Sequence, residues 1–221
     1  MDSSSLSDQY QRRFQASADY RDQVWKKILE AQLQSLVGED QIVLDLGCGW
    51  GEFSRNVAAK QKFAMDLNAD AASHLDAATE FLHQDCSQAW PLAENSLDVV
   101  FSSNFIEHLP DKEALERTLE QALRCLKPGG RIILLGPNIR YVAGAYWDYW
   151  DHHIPLTDKS LAELLSLKGF EVCHSVDRFL PYSMSEGRNP PLFLVALYLR
   201  LPMAWKLFGK QFLVVARPLA K

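Results

Sequence analysis

A run of apolar residues ending in three glycines at alternate positions, VLDLGCGWGEF over residues 43–53, leaves this chain few folds to choose from. The apolar stretch Ile42–Leu46 suits a short buried strand. Gly47, Gly49 and Gly51 then permit positive φ and let the backbone approach a ligand more closely than a side chain would allow. Residues 52–60 read as a helix on the far side, so the order is strand, turn, helix. In an open parallel sheet such a turn lies at the carboxyl end of its strand, where ligands bind.

The alternation continues along the chain. Residues 63–66, 81–85, 97–102, 131–135, Phe170–Val176 and 211–216 read as further strands. Residues 111–126 are strongly periodic, with Leu115, Leu119, Ala122 and Leu126 on one face, and Pro128-Gly129-Gly130 breaks them off. Residues 157–168 predict another helix, and residues 20–37, with Tyr20, Val24, Ile28, Leu29, Leu33 and Leu36 at helical spacing, an N-terminal one. Short apolar runs alternating with helical patterns predict an α/β fold: a doubly wound, mostly parallel seven-stranded sheet covered on both faces. With 221 residues, one domain is expected over 1–221. Within it lie an N-terminal helical region (1–39), a ligand-binding core (40–138), a loop bordering the cleft (139–156) and an apolar helical insertion before the last strand (180–209).

Composition removes several function classes. A formal net charge of −5 offers no broad attraction to a phosphate backbone, so no nucleic-acid partner is expected. Cys48, Cys86, Cys125 and Cys173 show neither a Cys-x-x-Cys pair nor a disulfide framework and are expected as reduced thiols in a cytoplasmic protein. The polar, acidic start MDSSSLSD lacks the features of a secretory signal. The most apolar stretch, residues 190–199, is about half the roughly 20 residues that a spanning helix requires.

The glycine spacing discriminates among cofactors. A dinucleotide fingerprint Gly-x-Gly-x-x-Gly needs glycine at position 52, which is Glu52, and a P-loop needs a lysine after its last glycine. Asp45, just before the loop, would repel a pyrophosphate and suits a cofactor bearing positive charge or an amine, which favours S-adenosylmethionine. Asp66, 17 positions after Gly49 at the end of the second strand, stands where a carboxylate takes a ribose hydroxyl pair. Asp85-Cys86 follows the third strand, where an acidic side chain and an adjacent backbone N–H can hold an adenine edge. Taken singly, an Asp at a strand end is as well explained as a turn or helix cap. Their order behind the glycine loop carries the reading.

The segments VLDLGCGWGEF, AMDLN, LHQDCS, LDVVFSSNFIEHLPD and LKPGGRIILLGPN together resemble a class I S-adenosylmethionine-dependent methyltransferase of the small-molecule kind, close to the methyltransferase type 11 group. The resemblance covers residues 40–138. It implies that Asp45, Gly47, Cys48 and Gly49 line the methionine part of S-adenosylmethionine, Asp66 and Leu67 the ribose, and Asp85 with Cys86 the adenine. It also implies that Asn104 and His108 border the site after the fourth strand. It fixes the cofactor better than the acceptor, for which a small molecule, a glycan or a lipid-linked compound is expected.

Residues 138–153 combine aromatic and polar groups at the edge of the expected cleft, the composition of a binding surface. Tyr141, Tyr146, Trp147 and Trp150 are expected to form the acceptor wall, with anchoring onto the core as the alternative for each. For O-methylation, His108, His152 or His153 has the titration range of a base. No metal is expected, because the consecutive Asp151-His152-His153 would rarely converge on one ion and no helical histidine pair accompanies them.

The insertion is apolar nearly all round over residues 191–208, with Arg188, Arg200, Lys206 and Lys210 near it, and something must cover it. It is expected to pack as a lid on the core, to form a homodimer contact, or to touch a membrane as an interfacial element. Two other functions compete with methyl transfer. A nicotinamide-dependent reductase or epimerase is opposed by the glycine spacing and by Ala145 where a Tyr-x-x-x-Lys pair starting at Tyr141 would need lysine. A non-catalytic, cofactor-binding regulator with the same fold is the other.

Overall fold

A computed structural model describes residues 18–182 and 189–219. Its centre is the expected seven-stranded sheet: β1 (Ile42–Leu46), β2 (Gln61–Asp66), β3 (Thr79–His83), β4 (Leu97–Ser103), β5 (Leu126–Pro137), β6 (Phe170–Val176) and β7 (Gln211–Pro218). The spatial order is β3-β2-β1-β4-β5-β7-β6. Strands β1 to β5 pair in parallel, and β7 runs antiparallel between β5 and β6. Chain order reverses between β1 and β4, so the loops after these strands diverge there and open a crevice at their carboxyl ends.

Strand alternation divides the core in two. Leu44, Leu46, Val100, Ile132 and Leu134 face one side. They pack there with Leu115, Leu119 and Ala122 of α3 (Lys112–Cys125) and with Leu161 and Leu165 of α5 (Asp158–Leu167). Val43, Val99, Phe101, Ile133 and Leu135 face the other, against Val24, Trp25 and Ile28 of α1 (Ala18–Ile28). There Phe53 stacks on Phe101 at 3.8 Å between centroids, and Trp25 meets both rings edge-on. Both faces of the sheet are thus dry, which is why its strands read as nearly continuous apolar runs.

Several boundaries differ from the sequence expectation. The N-terminal helix is regular only over α1, then passes through a π turn, Leu29–Leu33, and a 3-10 turn, Gln34–Leu36. Leu29 and Leu33 are both buried in that geometry. The helix after the glycines, α2 (Glu52–Asn56), stops early because Val57 turns extended and drops into the core. β5 begins before the breaker cluster: Leu126 already pairs with Leu97, and the register shift before Val99 and Arg131 absorbs the intervening residues. Residues 138–153 are partly helical, with α4 (Ile139–Val142) and a 3-10 segment, Ala143–Asp148. The insertion forms two short helices, α6 (Leu192–Leu199) and α7 (Pro202–Phe208); Arg188 lies outside the described residues.

Asp111 caps α3 by accepting the Ala114 N–H at 2.7 Å. Asp111→Ala leaves that amide without its side-chain acceptor and is expected to cost about 1 kcal/mol, read as a lower urea midpoint with an unchanged m-value.

Candidate functional site

The turn after β1 is held from outside itself. The N–H groups of Gly47 and Cys48 both donate to the Met65 carbonyl, at 2.8 and 3.1 Å, and the Gly51 N–H donates to the Cys48 carbonyl at 2.8 Å. The Gly49 N–H donates to Asp66 Oδ2 at 2.9 Å, while Asp66 Oδ1 accepts the Asn68 N–H at 2.8 Å. Gly47, Gly49 and Gly51 sit at φ of 71°, 53° and 72°, the left-handed region. A Cβ at Gly47 would overlap the Phe105 ring, so the loops after β1 and β4 touch at the crevice through a position only glycine allows.

Asp45 is buried beneath this loop and accepts a 2.6 Å hydrogen bond from Ser54 Oγ. Burial pushes its carboxyl up to about 7, opposed by the Ser54 bond and reinforced by the charges of Glu52 and Asp66. Burial also raises Asp66, against the pull of the Asn68 and Gly49 amides. Arg21 of α1 reaches Glu52 at 2.9 Å, which ties the N-terminal helix to the start of α2. The Cys48 side chain is buried and its thiol is pushed far up by burial. Leu67 is half exposed, and its carbonyl lies 3.0 Å from His83 Nε2.

Past β3, exposed Asp85 accepts the N–H and hydroxyl of Ser87 at 2.9 and 2.8 Å. The Cys86 side chain turns into the core beside Thr118, so only its backbone is available to a ligand at that edge. Past β4, Asn104 adopts a positive φ of 49°, and its N–H donates to the Leu135 carbonyl at 2.8 Å. Asp45, the glycines, Asp66, Leu67, Asp85 and Asn104 therefore stand at the carboxyl ends of four adjacent strands, β3, β2, β1 and β4. No Lys or Arg lies on the loop segments 47–51, 67–68, 85–86 or 104–105. Arg55 is turned away, bonded to the Trp50 and His74 carbonyls and to Asp22. Acidic groups around a close-approach loop fit a cationic amino-acid and ribose ligand and not a pyrophosphate.

The acceptor-side candidates separate into three kinds. Trp147 and Trp150 are exposed, the latter at 87%. Tyr146 is fully buried, its ring 4.5 Å from that of His152, so it anchors the segment and does not present an open wall. Tyr141 donates a 2.5 Å hydrogen bond to Asp177 Oδ2, and the Arg178 guanidinium lies 4.7 Å from its ring centre, which joins α4 to the root of the insertion.

The histidines also part company. His153 is exposed at the side chain, and its N–H donates to the Glu107 carbonyl. His108 and His152 come together with Glu107 in one cluster whose ligand-type atoms all lie within 4.8 Å of one another. Asp151 lies against His108 through its carbonyl at 3.0 Å and its Oδ2 at 3.2 Å. Burial draws His108 toward its neutral form, but the Asp151 bond and the Glu107 charge outweigh it and raise its pKa. Burial raises Glu107 as well. Sequence reasoning missed Glu107 as a site residue; its adjacency to His108 was the available signal.

The chain matches the family model described as a methyltransferase domain over residues 17–175. It is 28% identical over 155 residues to malonyl-[acyl-carrier protein] O-methyltransferase of Pectobacterium atrosepticum, covering 67% of this chain and 52% of that one. It is 29% identical over 147 residues to 2-methyl-6-phytyl-1,4-hydroquinone methyltransferase of Synechocystis, covering 58% and 45%. The chain thus spans about half the length of these relatives. A solved S-adenosylmethionine-dependent methyltransferase from Archaeoglobus fulgidus superposes with a TM-score of 0.63 at 22% identity, over 92% of this chain and 98% of that one. That likeness shows the fold.

Two substitutions probe the loop. Gly47→Ala combines a left-handed backbone, costing about 1–2 kcal/mol, with an overlap costing about 1–3 kcal/mol; thermal unfolding should show a clearly lowered Tm. Asp45 holds its proton more tightly folded than unfolded, so its contribution to stability is greatest at low pH and is lost as pH rises toward about 7. Asp45→Asn removes this dependence: between about pH 4 and 7 the variant's Tm should fall less steeply than that of the unsubstituted protein.

Proposed function

The chain belongs to the methyltransferase-domain family, whose cofactor is S-adenosylmethionine, and from that premise we propose that it methylates a lipid-linked small molecule or glycan presented at a membrane surface. One observation carries the acceptor half. β6 ends, and β7 begins, at the edge where β5 ends, since Pro137 pairs with Gln211 and Val176 with Leu213. The insertion between them therefore emerges at the same edge of the sheet as the glycine loop.

That insertion suits an anionic bilayer. Phe193, Leu197, Leu201, Met203, Leu207 and Phe208 are exposed, Met203 at 74%. No Asp or Glu follows Glu186 in a chain of net charge −5, whereas Arg200, Lys206 and Lys210 accompany the apolar residues. Exposed apolar side chains with basic neighbours can enter the headgroup region of an anionic bilayer, through apolar burial and charge attraction together. Among the described residues no helix is long and apolar enough to cross one.

In this reading Asp45, Gly47, Cys48 and Gly49 hold the amino-acid end of the cofactor, Asp66 and Leu67 the ribose, and Asp85 with the Cys86 backbone the adenine, while Asn104 closes the site after β4. S-adenosylmethionine supplies a methyl group on a positively charged sulfur. The protein's part is to align the acceptor atom opposite the carbon–sulfur bond, for which positioning supplies much of the acceleration. Tyr141, Trp147 and Trp150 guide the acceptor, and Tyr146 holds their segment in place. Where the acceptor atom carries a proton, the Glu107–His108–His152 cluster receives it, while exposed His153 orients the turn through its backbone.

Calorimetry should show one equivalent of S-adenosylmethionine bound, with affinity lowered roughly tenfold or more by Asp66→Ala, the loss of charge-assisted hydrogen bonds. S-adenosylhomocysteine should accumulate with lipid-linked acceptors and not with their water-soluble head groups alone. Vesicles of phosphatidylglycerol and phosphatidylcholine should sediment the protein, and the Phe193→Ser, Met203→Ser, Leu207→Ser triple variant should lose roughly tenfold or more of that binding. A variant-sensitive dimer that ignores vesicles would overturn the membrane reading.

A further inference from the structure

Glu107 is buried, and its Oε2 has no hydrogen-bond partner. Beside it stand His108, on the same 3-10 turn, Ile106–His108, and His152, 44 positions later in the sequence. A carboxylate oxygen left unpaired in a dry interior is costly, and this carboxylate has an oxygen within 4.8 Å of a ring nitrogen of each of two histidines, the company that a bound cation needs. We propose that Glu107, His108 and His152 form a binding site for one divalent first-row transition metal of the zinc class.

The hydrogen bonds of the two rings are those that such an assignment needs. His108 Nδ1 lies 3.0 Å from the Asp151 carbonyl oxygen, and His152 Nδ1 lies 2.9 Å from that of Tyr146. A carbonyl oxygen can only accept, so Nδ1 carries the hydrogen in both rings and Nε2 carries the lone pair of the neutral form. Metal-binding histidines are fixed in this manner, with the second nitrogen donating to a backbone carbonyl or a carboxylate. His108 has both kinds of partner, since Asp151 Oδ2 is also 3.2 Å from Nδ1. Asp151 thus positions a ligand, and His153 lends the Glu107 carbonyl a backbone N–H.

Two imidazoles and one carboxylate form a donor set for zinc, with a fourth position left to water or substrate. Around zinc such donors stand about 3.3 Å apart, from bonds near 2.0–2.1 Å. The cluster spans up to 4.8 Å, so closure requires the donor atoms to move inward by roughly an ångström, within reach of side-chain rotation. The metal site itself does not depend on which acceptor is methylated; a metal on both Nε2 lone pairs would stop the two histidines from taking a proton themselves, so their role as a base belongs to the metal-free cluster.

The full chain, stripped with chelator and titrated with Co2+, should bind one equivalent with the visible d–d bands of a low-coordinate site, and Zn2+ should abolish them. Glu107→Gln and His108→Ala should each weaken binding tenfold or more, and Asp151→Asn about 10–100-fold. His174→Ala, an exposed histidine on β6, should leave it unchanged. Circular dichroism and S-adenosylhomocysteine binding on the same samples separate loss of the metal site from loss of the fold. Should Glu107→Gln fail to fold, His108→Ala, at the more exposed edge, decides the matter. Absence of the bands, or their survival in the folded variants, overturns the inference, and cofactor binding retained without metal leaves the methyl-transfer reading standing.

Discussion

Asp66 does two jobs with one carboxylate, and the geometry of the crevice depends on it. A turn with three left-handed glycines separated by single residues has little to hold it in shape. The Met65 carbonyl takes two of its amides and Asp66 Oδ2 takes the third, at 2.9 Å. Asp66 Oδ1 meanwhile fixes the Asn68 amide in the next loop. The ends of β1 and β2 are thereby locked to one another before any ligand arrives, which is what close approach to a ligand requires. The same bonds explain how a partly buried carboxylate is tolerated here: the Asn68 and Gly49 amides work against the desolvation of Asp66, while Asp45, deeper in the fold, keeps a Ser54 hydrogen bond and a carboxyl pushed up to about 7.

The sheet sets where chemistry can occur, and the two-sided core keeps it there. Phe53 lies directly after the glycine loop and stacks on Phe101 of β4, so the helix that begins at the loop is pinned to the strand across the switch point. Phe105 closes on Gly47 from the β4 side. The insertion between β6 and β7 stands at that same edge, rooted by the Tyr141–Asp177 bond and by the Asn138 backbone N–H on the Lys210 carbonyl.

What the sequence made legible were features with local causes. An apolar run followed by alternating glycines has one good structural solution, and the seven strands and α3 each carry their own periodicity and stop signals. The π turn after α1 and the early end of α2 were not legible, because tertiary burial of Leu33 and Val57 decides them. Tyr146 and Trp150 look alike in sequence, and only packing makes one an anchor and leaves the other exposed. The cluster of Glu107, His108 and His152 was hidden most thoroughly. His108 and His152 stand out singly as candidate bases, but nothing local shows that they meet Glu107, and the apparent triad Asp151-His152-His153 divides instead into an orienting group, a cluster member and an outward-facing side chain.

Hydrogen–deuterium exchange of the full chain with and without saturating S-adenosylmethionine tests the central claim most directly, because it reads the cofactor's footprint segment by segment. Added protection is expected over residues 45–53, 66–68, 85–87 and 104–105, with the far edge at β6 unchanged. Saturable binding that leaves residues 45–53 and 66–68 unprotected would contradict it.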